Sequence, residues 1–236
     1  MAESSTRKSS KWTYSPKCSI NGEPTVVYPD GGKEWWENNK LHRGGGEPAI
    51  VYPGHGKWWY ENGLKHRDGD LPAVVHDDGT EEWYEHGKRH RGGGKAALIY
   101  KDGTMEWYKD GKRHRDGDEP AIETKSGNKY WFQDGKRHRD GDLPAVVLAN
   151  GTRMWYKYGN LHRMNGPAVM KKMHDIRWIT PVMEYEEWWV NGVKVPDNVV
   201  KGCGVTGNSG FNLDAITRLS SFAARTKGGN LRKVVA

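Results

Sequence analysis

Long apolar runs and cysteine are scarce in this sequence of 236 residues, and both absences narrow the class of protein. No stretch of about 18 apolar residues occurs, so we expect no membrane-spanning helix. Residues 1–10 are polar and lack the apolar core of a signal peptide, which argues against secretion by that route. Cys18 and Cys203 are the only cysteines and lie far apart in sequence. We therefore expect synthesis in a reducing, intracellular compartment, without a disulfide framework.

Aliphatic side chains and phenylalanine are also few, since the hydrophobic fraction is 35% and Phe occurs 3 times. A compact globule of this length buries more aliphatic surface than such a composition supplies. Glycine and tryptophan, by contrast, are abundant, at 31 and 12 residues. This composition predicts a thin structure with many turns, in which aromatic side chains provide most of the buried area.

The net charge of +7 is confined to the ends of the chain. Residues 1–17 carry a net charge of +3 and residues 197–236 a net charge of +4, which leaves the residues between them neutral. We therefore expect a basic N-terminal arm over 1–17 and a basic C-terminal segment over 197–236. Between them lies an electrically balanced scaffold.

The central region is organised by a repeat of 24 residues. A proline, a tryptophan and a His-Arg pair keep this period. The tryptophans are Trp35, Trp59, Trp83, Trp107, Trp131 and Trp155, and the pairs begin at His42, His66, His90, His114, His138 and His162. Counted from the proline position, repeats 1 to 7 begin at Pro24, Pro48, Pro72, Ala96, Pro120, Pro144 and Pro167. Such a pattern predicts a linear array over residues 18–196.

Each copy has the pattern of a β-hairpin. A β-prone run follows the proline, and an Asp/Asn-Gly pair such as Asp78-Gly79 predicts a hairpin turn in which both residues adopt positive φ. The return strand carries the aromatic pair, Trp83-Tyr84 in repeat 3, and a second glycine such as Gly87 precedes the linking loop. Two glycine turns in each copy leave no room for a helix. The predicted fold is all-β, an elongated antiparallel array of seven hairpin repeats with a short C-terminal helix.

Comparison of the copies separates core from surface positions. The column two residues after the proline is apolar in every copy and is predicted to be core, whereas the next column admits Glu123 and is predicted to be partly open. Adjacent strand residues point to opposite faces, so each Trp and the aromatic residue after it should form two ladders on opposite sides of the sheet. The second aromatic ladder is a candidate partner-binding surface, and it comprises Trp36, Tyr60, Tyr84, Tyr108, Phe132 and Tyr156.

The periodic histidines suggest a metal site, because imidazole is a common metal ligand. Equivalent histidines of adjacent copies should lie roughly 10 Å apart, which is too far for two of them to bind one ion. We therefore predict no metal site. Each histidine is expected to pack on a Trp or to hydrogen bond to a neighbouring loop.

Two loop motifs resemble functional signatures. His-Arg-Asp matches the start of a kinase catalytic loop, but no glycine-rich nucleotide loop accompanies its copies at 66–68, 114–116 and 138–140. Asp-Gly-Asp suggests a calcium loop at 68–70, 116–118 and 140–142. The same loop is Gly-Gly-Gly at 44–46 and 92–94, so only the central glycine persists. This favours selection for backbone geometry, with each Asp pairing with the adjacent Arg.

No catalytic residue and no cofactor are predicted. The sequence contains no Ser/His/Asp or Cys/His arrangement, no phosphate loop and no paired carboxylates outside the periodic pattern. The main break in the repeats is the insertion Met173–Glu184, which is apolar and aromatic in composition. An enzyme is therefore the least favoured class and would need a cleft at this insertion.

The C-terminal segment is predicted to contain one short helix. Lys201–Gly210 reads as a glycine-rich connector, and Asn212 caps a helix that runs to about Arg225. Such a helix is not stable alone and needs a surface on which to dock. Its apolar face and the basic residues that follow are further candidate partner-binding residues: Leu213, Ile216, Leu219, Phe222, Arg225, Lys227, Arg232 and Lys233.

The repeat motif, His-Arg-x-Gly-Asp-Leu-Pro-Ala-Val-Val followed by Asp/Asn-Gly-Thr, Glu-Trp-Tyr and Gly-Lys-x-His-Arg, resembles that of repeat proteins encoded by large DNA viruses and large phages. It also looks like a distant variant of the membrane occupation and recognition nexus (MORN) repeat. The resemblance covers about residues 22–192 and implies β-hairpin arrays built around Trp and Gly.

These observations predict a non-enzymatic structural or interaction protein. The leading hypothesis is a minor capsid or other virion protein that bridges larger protein subunits, located in the virion or in the cytoplasm of an infected cell. The alternative is a nucleic-acid-associated protein that binds through its basic tails. The second aromatic ladder is a poor phosphate site, because acidic residues flank it: Glu34, Glu37, Glu61, Glu82, Glu85 and Glu106.

Overall fold

The computed structural model describes residues 22–173 and 183–202, together with 218, 221–222 and 224–226. The described chain is nearly all β. Repeats 1 to 3 form β1 (Val26–Val27), β2 (Lys33–Glu34), β3 (Trp36–Glu37), β4 (Lys40–Leu41), β5 (Ile50–Tyr52), β6 (Gly56–Trp58), β7 (Tyr60–Glu61), β8 (Leu64–Lys65), β9 (Val74–His76), β10 (Glu81–Glu82), β11 (Tyr84–Glu85) and β12 (Lys88–Arg89). Repeats 4 and 5 form β13 (Leu98–Ile99), β14 (Met105–Glu106), β15 (Tyr108–Lys109), β16 (Lys112–Arg113), β17 (Ile122–Glu123), β18 (Lys129–Tyr130), β19 (Phe132–Gln133) and β20 (Lys136–Arg137). Repeats 6 and 7 form β21 (Val146–Val147), β22 (Arg153–Met154), β23 (Tyr156–Lys157), β24 (Asn160–Leu161), β25 (Val169–Met173), β26 (Met183–Val190) and β27 (Val193–Val195).

Each repeat contains two hairpins rather than one. The first hairpin of every repeat joins a continuous antiparallel sheet of 15 strands, ordered β1-β2-β5-β6-β9-β10-β13-β14-β17-β18-β21-β22-β25-β26-β27. The second hairpin is a pair of two-residue strands in repeats 1 to 6, such as β11 with β12. The predicted all-β array is confirmed. The prediction that the segment after the second glycine only leads into a loop was wrong, because this segment is a strand.

The first turn of repeats 1 to 6 is a three-residue loop. In repeat 3 the amide of His76 donates to the carbonyl of Thr80 (2.9 Å), and the amide of Gly79 donates back to His76 (2.9 Å). Gly79 has a φ of +90°, whereas Asp78 stays at negative φ and accepts the Thr80 amide on Oδ1 at 2.8 Å. The expectation that both residues adopt positive φ was therefore wrong here. Asp is suited to this turn by its side-chain acceptor, and Gly by its conformation.

The second turn has the two-residue geometry that was expected of the first. Its two central residues both have positive φ, as in Asn62 (51°) and Gly63 (85°), which matches a type I′ turn. Successive second hairpins are joined by a backbone–backbone hydrogen bond. The turn glycine donates its amide to a carbonyl of the preceding repeat, for example Gly63 to Leu41 at 2.8 Å.

The core consists of a Trp ladder and an alanine column. All six tryptophans of the Trp ladder, Trp35 to Trp155, are 5–7% exposed. The alanine column is fully buried, and its members are Ala49, Ala73, Ala97, Ala121, Ala145 and Ala168. Each Trp amide donates to the alanine carbonyl of the next repeat at 2.8 Å. The predicted apolar column is buried at Val74, Leu98, Val146 and Val169 and half-buried at Val26, Ile50 and Ile122.

The linking loops hold the Trp ladder in place. The indole Nε1 of each Trp donates to a loop carbonyl of the preceding repeat at 2.8–3.0 Å. Trp83, for example, bonds to Asp70, which follows Gly69, and both loop residues have positive φ. The loop glycine is therefore required for backbone geometry, as predicted. The Arg of each His-Arg pair covers the same Trp, with its guanidinium carbon 3.8–4.0 Å from the ring centre.

A short helix that was not predicted follows the last repeat. Helix α1 (Asp197–Gly202) occupies the start of the expected connector, and Val200 packs with Val190 and Val195 in a small buried cluster. Through this cluster the helix packs against the last described hairpin. The predicted second helix is helical at its described positions, 218, 221–222 and 224–226.

The insertion in repeat 7 lengthens the first hairpin. Strands β25 and β26 pair over five positions, from Val169 with Glu187 to Met173 with Met183. Residues 174–182 lie outside the described residues, so the hypothesis of a cleft at Met173–Glu184 is not tested.

Candidate partner-binding surface

The second aromatic ladder lies on the first strands of the second hairpins and is half-buried along its whole length. Glu82 pairs across the sheet with Val74 and Leu98, so these three residues share a face. The Tyr84 hydroxyl donates to the carboxylate of Glu82 (2.8 Å), which places Tyr84 on that same face. Because Trp83 stands between them in sequence, its side chain points the other way. This agrees with the prediction of two ladders, and the second one is the more exposed.

Four cations alternate with the aromatic rings of this ladder. Arg89 lies 5.4 Å from the Tyr84 ring centre and 4.9 Å from that of Tyr108, the equivalent residue of the next repeat. The same column continues with Lys65, Arg113 and Arg137. We call these four residues the cation column. Alternating cations and aromatic rings form a cation–π stack that links neighbouring repeats.

In repeats 3 and 4 this stack is closed by a carboxylate. Glu82 binds Arg89, His76 and Tyr84, and Glu106 binds Arg113 (2.9 Å) in the equivalent place. Burial alone would raise the pKa of Glu82, but its hydrogen bonds from His76 and Arg89 outweigh burial and lower it to about 2. Burial and the bond to Glu82 raise the pKa of Tyr84 to about 12. Each cation here has its charge neutralised within the repeat.

Repeats 2, 5 and 6 lack this carboxylate. The position of Glu82 is occupied there by Trp58, Tyr130 and Met154. Arg137 is exposed and lies 5.5–5.9 Å from the ring centres of Tyr130, Phe132 and Tyr156. Among the described residues it has no ion pair. Repeats 5 and 6 therefore present an uncompensated positive charge among aromatic and apolar side chains.

In repeat 2 an aromatic cavity of about 510 Å³ lies beside Trp58. Its lining includes Trp58, Tyr52 and Tyr60, with His55 and His76 at the side. Tyr52 packs against the edge of Trp58, with ring centres 6.3 Å apart. The cavity belongs to the same face as the second aromatic ladder.

The sequence prediction missed one member of this ladder. Trp189 in repeat 7 donates its Nε1 to Glu187 (2.9 Å), as Trp36 donates to Glu34 (2.8 Å) in repeat 1. Its position directly after a Glu-Trp pair could have identified it as a ladder residue, but the insertion displaces it from the 24-residue period.

The His-Arg histidines bind the turn of the next repeat, as one of the two predicted structural roles requires. The amide of Asn62 donates to His42 Nδ1 (3.2 Å), and the bond recurs at four further histidines: His66, His90, His114 and His162. His138 differs, because its ring stacks on Tyr158 at 4.1 Å and its Nδ1 is buried without a hydrogen bond.

One group of potential metal ligands does occur among the described residues. Glu61, His66 and His86 each offer an atom, and the three atoms lie within 4.8 Å of one another. However, His66 Nδ1 accepts the His86 amide, so its Nε2 carries the proton shared with Asp68 (3.1 Å). A metal on Nε2 would move that proton to Nδ1, opposite the amide hydrogen. The hydrogen bonds of His66 therefore favour a structural role.

The Asp-Gly-Asp loops make ion pairs, but not the predicted ones. The first Asp lies beside the histidine two residues earlier, as Asp68 lies beside His66. The second binds the Arg of the next repeat, as Asp70 binds Arg91, and not the adjacent Arg. The equivalent pairs are Asp118 with Arg139 and Asp142 with Arg163. These aspartates cross-link repeats, so the expected pairing was wrong in its partner.

Most of the predicted tail residues lie outside the described residues: Leu213, Ile216, Leu219, Lys227, Arg232 and Lys233. Of the remaining two, Phe222 is half-buried and Arg225 is exposed, and both are helical. The basic arm 1–17 is likewise not described. Within the described chain, no helix has the length and apolarity needed to cross a membrane.

Comparison with protein-family models and with curated protein sequences gives no match. The resemblance to MORN-like repeats therefore stays a prediction from the motif.

Proposed function

We propose that the protein is a non-enzymatic interaction scaffold that binds a protein partner across the second aromatic ladder. The observation that carries this proposal is the uneven charge compensation of the cation column. Arg89 and Arg113 are neutralised by Glu82 and Glu106, whereas Arg137 has aromatic neighbours and no carboxylate among the described residues.

The surface around Arg137 has the composition of an interface hot spot. Arg, Tyr and Trp dominate the binding energy of protein interfaces, because they combine a large apolar area with directed polar groups. Phe132 and Tyr156 flank Arg137, and Met154 and Leu161 extend the apolar area into repeat 6. A partner that offers a carboxylate to Arg137 and apolar side chains to its neighbours would complete the stack that Glu82 and Glu106 complete elsewhere.

Charge-reversal variants test whether binding depends on this face or on the opposite one. Arg137→Glu should lower association of the full chain with its native assembly at least about tenfold, which corresponds to about 1.4 kcal/mol. The matched control is Lys129→Glu, which makes the same charge change at an exposed residue. Lys129 pairs with Glu123 and Val147, so it lies on the other face from Tyr130. The measurement is co-sedimentation with the assembly, quantified by mass spectrometry.

Equal retention of both variants would contradict the proposal, as would equal loss of both. Circular dichroism and urea midpoints establish that the two variants are folded to the same extent. The comparison is informative because the two substitutions lie in the same repeat, at exposed residues, with the same charge change, and differ in the face they alter.

The proposal that the larger assembly is a virion, with the protein as a minor capsid component, is supported by the resemblance of the repeats to those of large DNA viruses and phages. Mass spectrometry of purified virions tests it directly. Virions that lack the chain would remove this setting and leave the scaffold proposal in place.

A further inference from the structure

Three linking loops carry an aspartate that binds the arginine of the following repeat. Asp70 accepts bonds from Arg91 Nε (2.6 Å) and Nη2 (3.1 Å), an arrangement in which both carboxylate oxygens face the edge of the guanidinium. Asp118 binds Arg139 in the same way, at 2.8 and 3.0 Å. Such a two-point contact is specific for a planar carboxylate.

Arg67 has the same setting without the carboxylate. Its guanidinium carbon lies 3.8 Å from the Trp59 ring centre, and its Nη1 donates to the Pro72 carbonyl at 3.2 Å, as in the other repeats. The loop position equivalent to Asp70 is Gly46. Arg67 Nε is shielded from water and has no hydrogen-bond partner. The arginine is thus held in the binding orientation while its outer edge is unused.

None of the residues that the structure describes supplies the missing acceptor. Arg115 also follows a glycine loop, but it binds Glu123 at 3.0 Å and lies 3.9 Å from Glu119. The residues at the same spacing from Arg67 are Leu71 and Val75, which cannot accept a hydrogen bond from it. Glu47 acts on Arg67 only through its charge and does not form an ion pair with it.

Gly46 leaves room for a side chain in the loop beside Arg67. A Cβ atom built on Gly46 would contact nothing within 4 Å, and Gly46 has the positive φ (74°) that Asp70 (57°) also has. An aspartate at this position would therefore fit, as it does in the sister loops. We infer that Arg67 and Gly46 form a binding site for a carboxylate carried by a partner protein. The identity of the partner rests on the proposed function, whereas the site itself stands without it.

The test uses the arginine Nε–H resonances of the full chain in ¹H–¹⁵N spectra. Titration with acetate should shift the Arg67 resonance and saturate, because acetate supplies the two oxygens that the sister loops supply as Asp. The resonances of Arg91 and Arg139 should not move. Acetamide, which has the same shape without the charge, should leave Arg67 unchanged. Loss of one signal in Arg67→Lys assigns the resonance.

Two matched variants test the role of the loop aspartate: one introduces it beside Arg67, and the other removes it beside Arg139. Gly46→Asp should move the Arg67 resonance to the position of Arg91 and abolish its response to acetate. Asp118→Gly should create a second acetate response at Arg139. A wild-type Arg67 that ignores acetate overturns the site, while the proposed function survives, since its test depends on Arg137. A stronger response to inorganic phosphate than to acetate would overturn the assignment of a carboxylate.

Discussion

The Trp ladder and the second aromatic ladder both extend along the array, but the contacts of the first are the same in each of repeats 1 to 6 and those of the second are not. In the Trp ladder, six repeats have the same residue, a 5–7% exposure and the same bond from Nε1 to a loop carbonyl. In the second ladder the residue changes among Trp, Tyr and Phe, and the neighbouring carboxylate is present in some repeats and missing in others. One ladder has one environment; the other has several.

The difference separates stability from recognition. A position that makes identical contacts in every repeat meets a requirement of the array itself, because each repeat is packed between two like neighbours. At a half-buried position whose contacts vary, folding does not require one particular residue. Arg137 illustrates this freedom, since its neighbours Tyr130 and Met154 replace the carboxylates that bind Arg89 and Arg113.

The largest expected effect comes from removing one rung of the Trp ladder. Trp107→Ala should reduce the free energy of unfolding by about 3–5 kcal/mol, because it leaves a cavity in the core. It also removes the bond from Nε1 to Gly94 (2.9 Å) and the surface on which Arg115 packs. Urea denaturation followed by far-ultraviolet circular dichroism measures the loss.

The control for this substitution is the adjacent residue of the second ladder. Tyr108→Ala removes a ring that is half exposed, so it should cost about 1–2 kcal/mol. Similar losses for Trp107→Ala and Tyr108→Ala would mean that the two ladders contribute equally to stability, contrary to the comparison.

A smaller effect is expected from acid. The pKa of Glu82 is lowered to about 2 from its ordinary 4.5, although its burial acts in the other direction, because His76 and Arg89 bind the carboxylate. The ionised Glu82 carboxylate therefore contributes fully to the free energy of unfolding above about pH 5, and this contribution is lost as the pH falls through about 2. At neutral pH the free energy of unfolding of the wild type should exceed that of Glu82→Gln by about 1–2 kcal/mol, with allowance for solvent screening. The difference should vanish near pH 2, and a difference that is constant with pH would contradict the ion-pair account.

The repeat and its register follow from the sequence, but the second hairpin does not. Periodic Trp and Pro positions define which residues are equivalent, and the two-residue rule for strands separates Trp83 from Tyr84. The first glycine turn was assigned the wrong geometry, because Asp/Asn-Gly pairs occur in both turns of some copies. His86 and Tyr158 occupy a positive φ in the second turn, which their residue types do not indicate.

The site could be predicted only in outline, for a related reason. The aromatic residues of the second ladder are visible in the sequence, but the cation between them comes from the second strand of the unpredicted second hairpin. Tyr84 pairs with Arg89 across that hairpin, and only this pairing brings the two side chains together. The fully buried alanine column was missed as well, although an alanine follows the proline position in repeats 2 to 7.

The smallest expected effect on stability is at the proposed binding surface. Arg137→Ala should change the free energy of unfolding by no more than about 0.5 kcal/mol, because Arg137 is exposed and forms no ion pair with the residues that the structure describes. Arg113→Ala, the equivalent change one repeat earlier, leaves the Glu106 carboxylate, 7% exposed, without its cation, and should cost about 1–2 kcal/mol. Parallel urea denaturation of the two variants measures the contrast. An Arg137→Ala loss as large as that of Arg113→Ala would place Arg137 among the structural residues and remove the reason for assigning recognition to repeats 5 and 6.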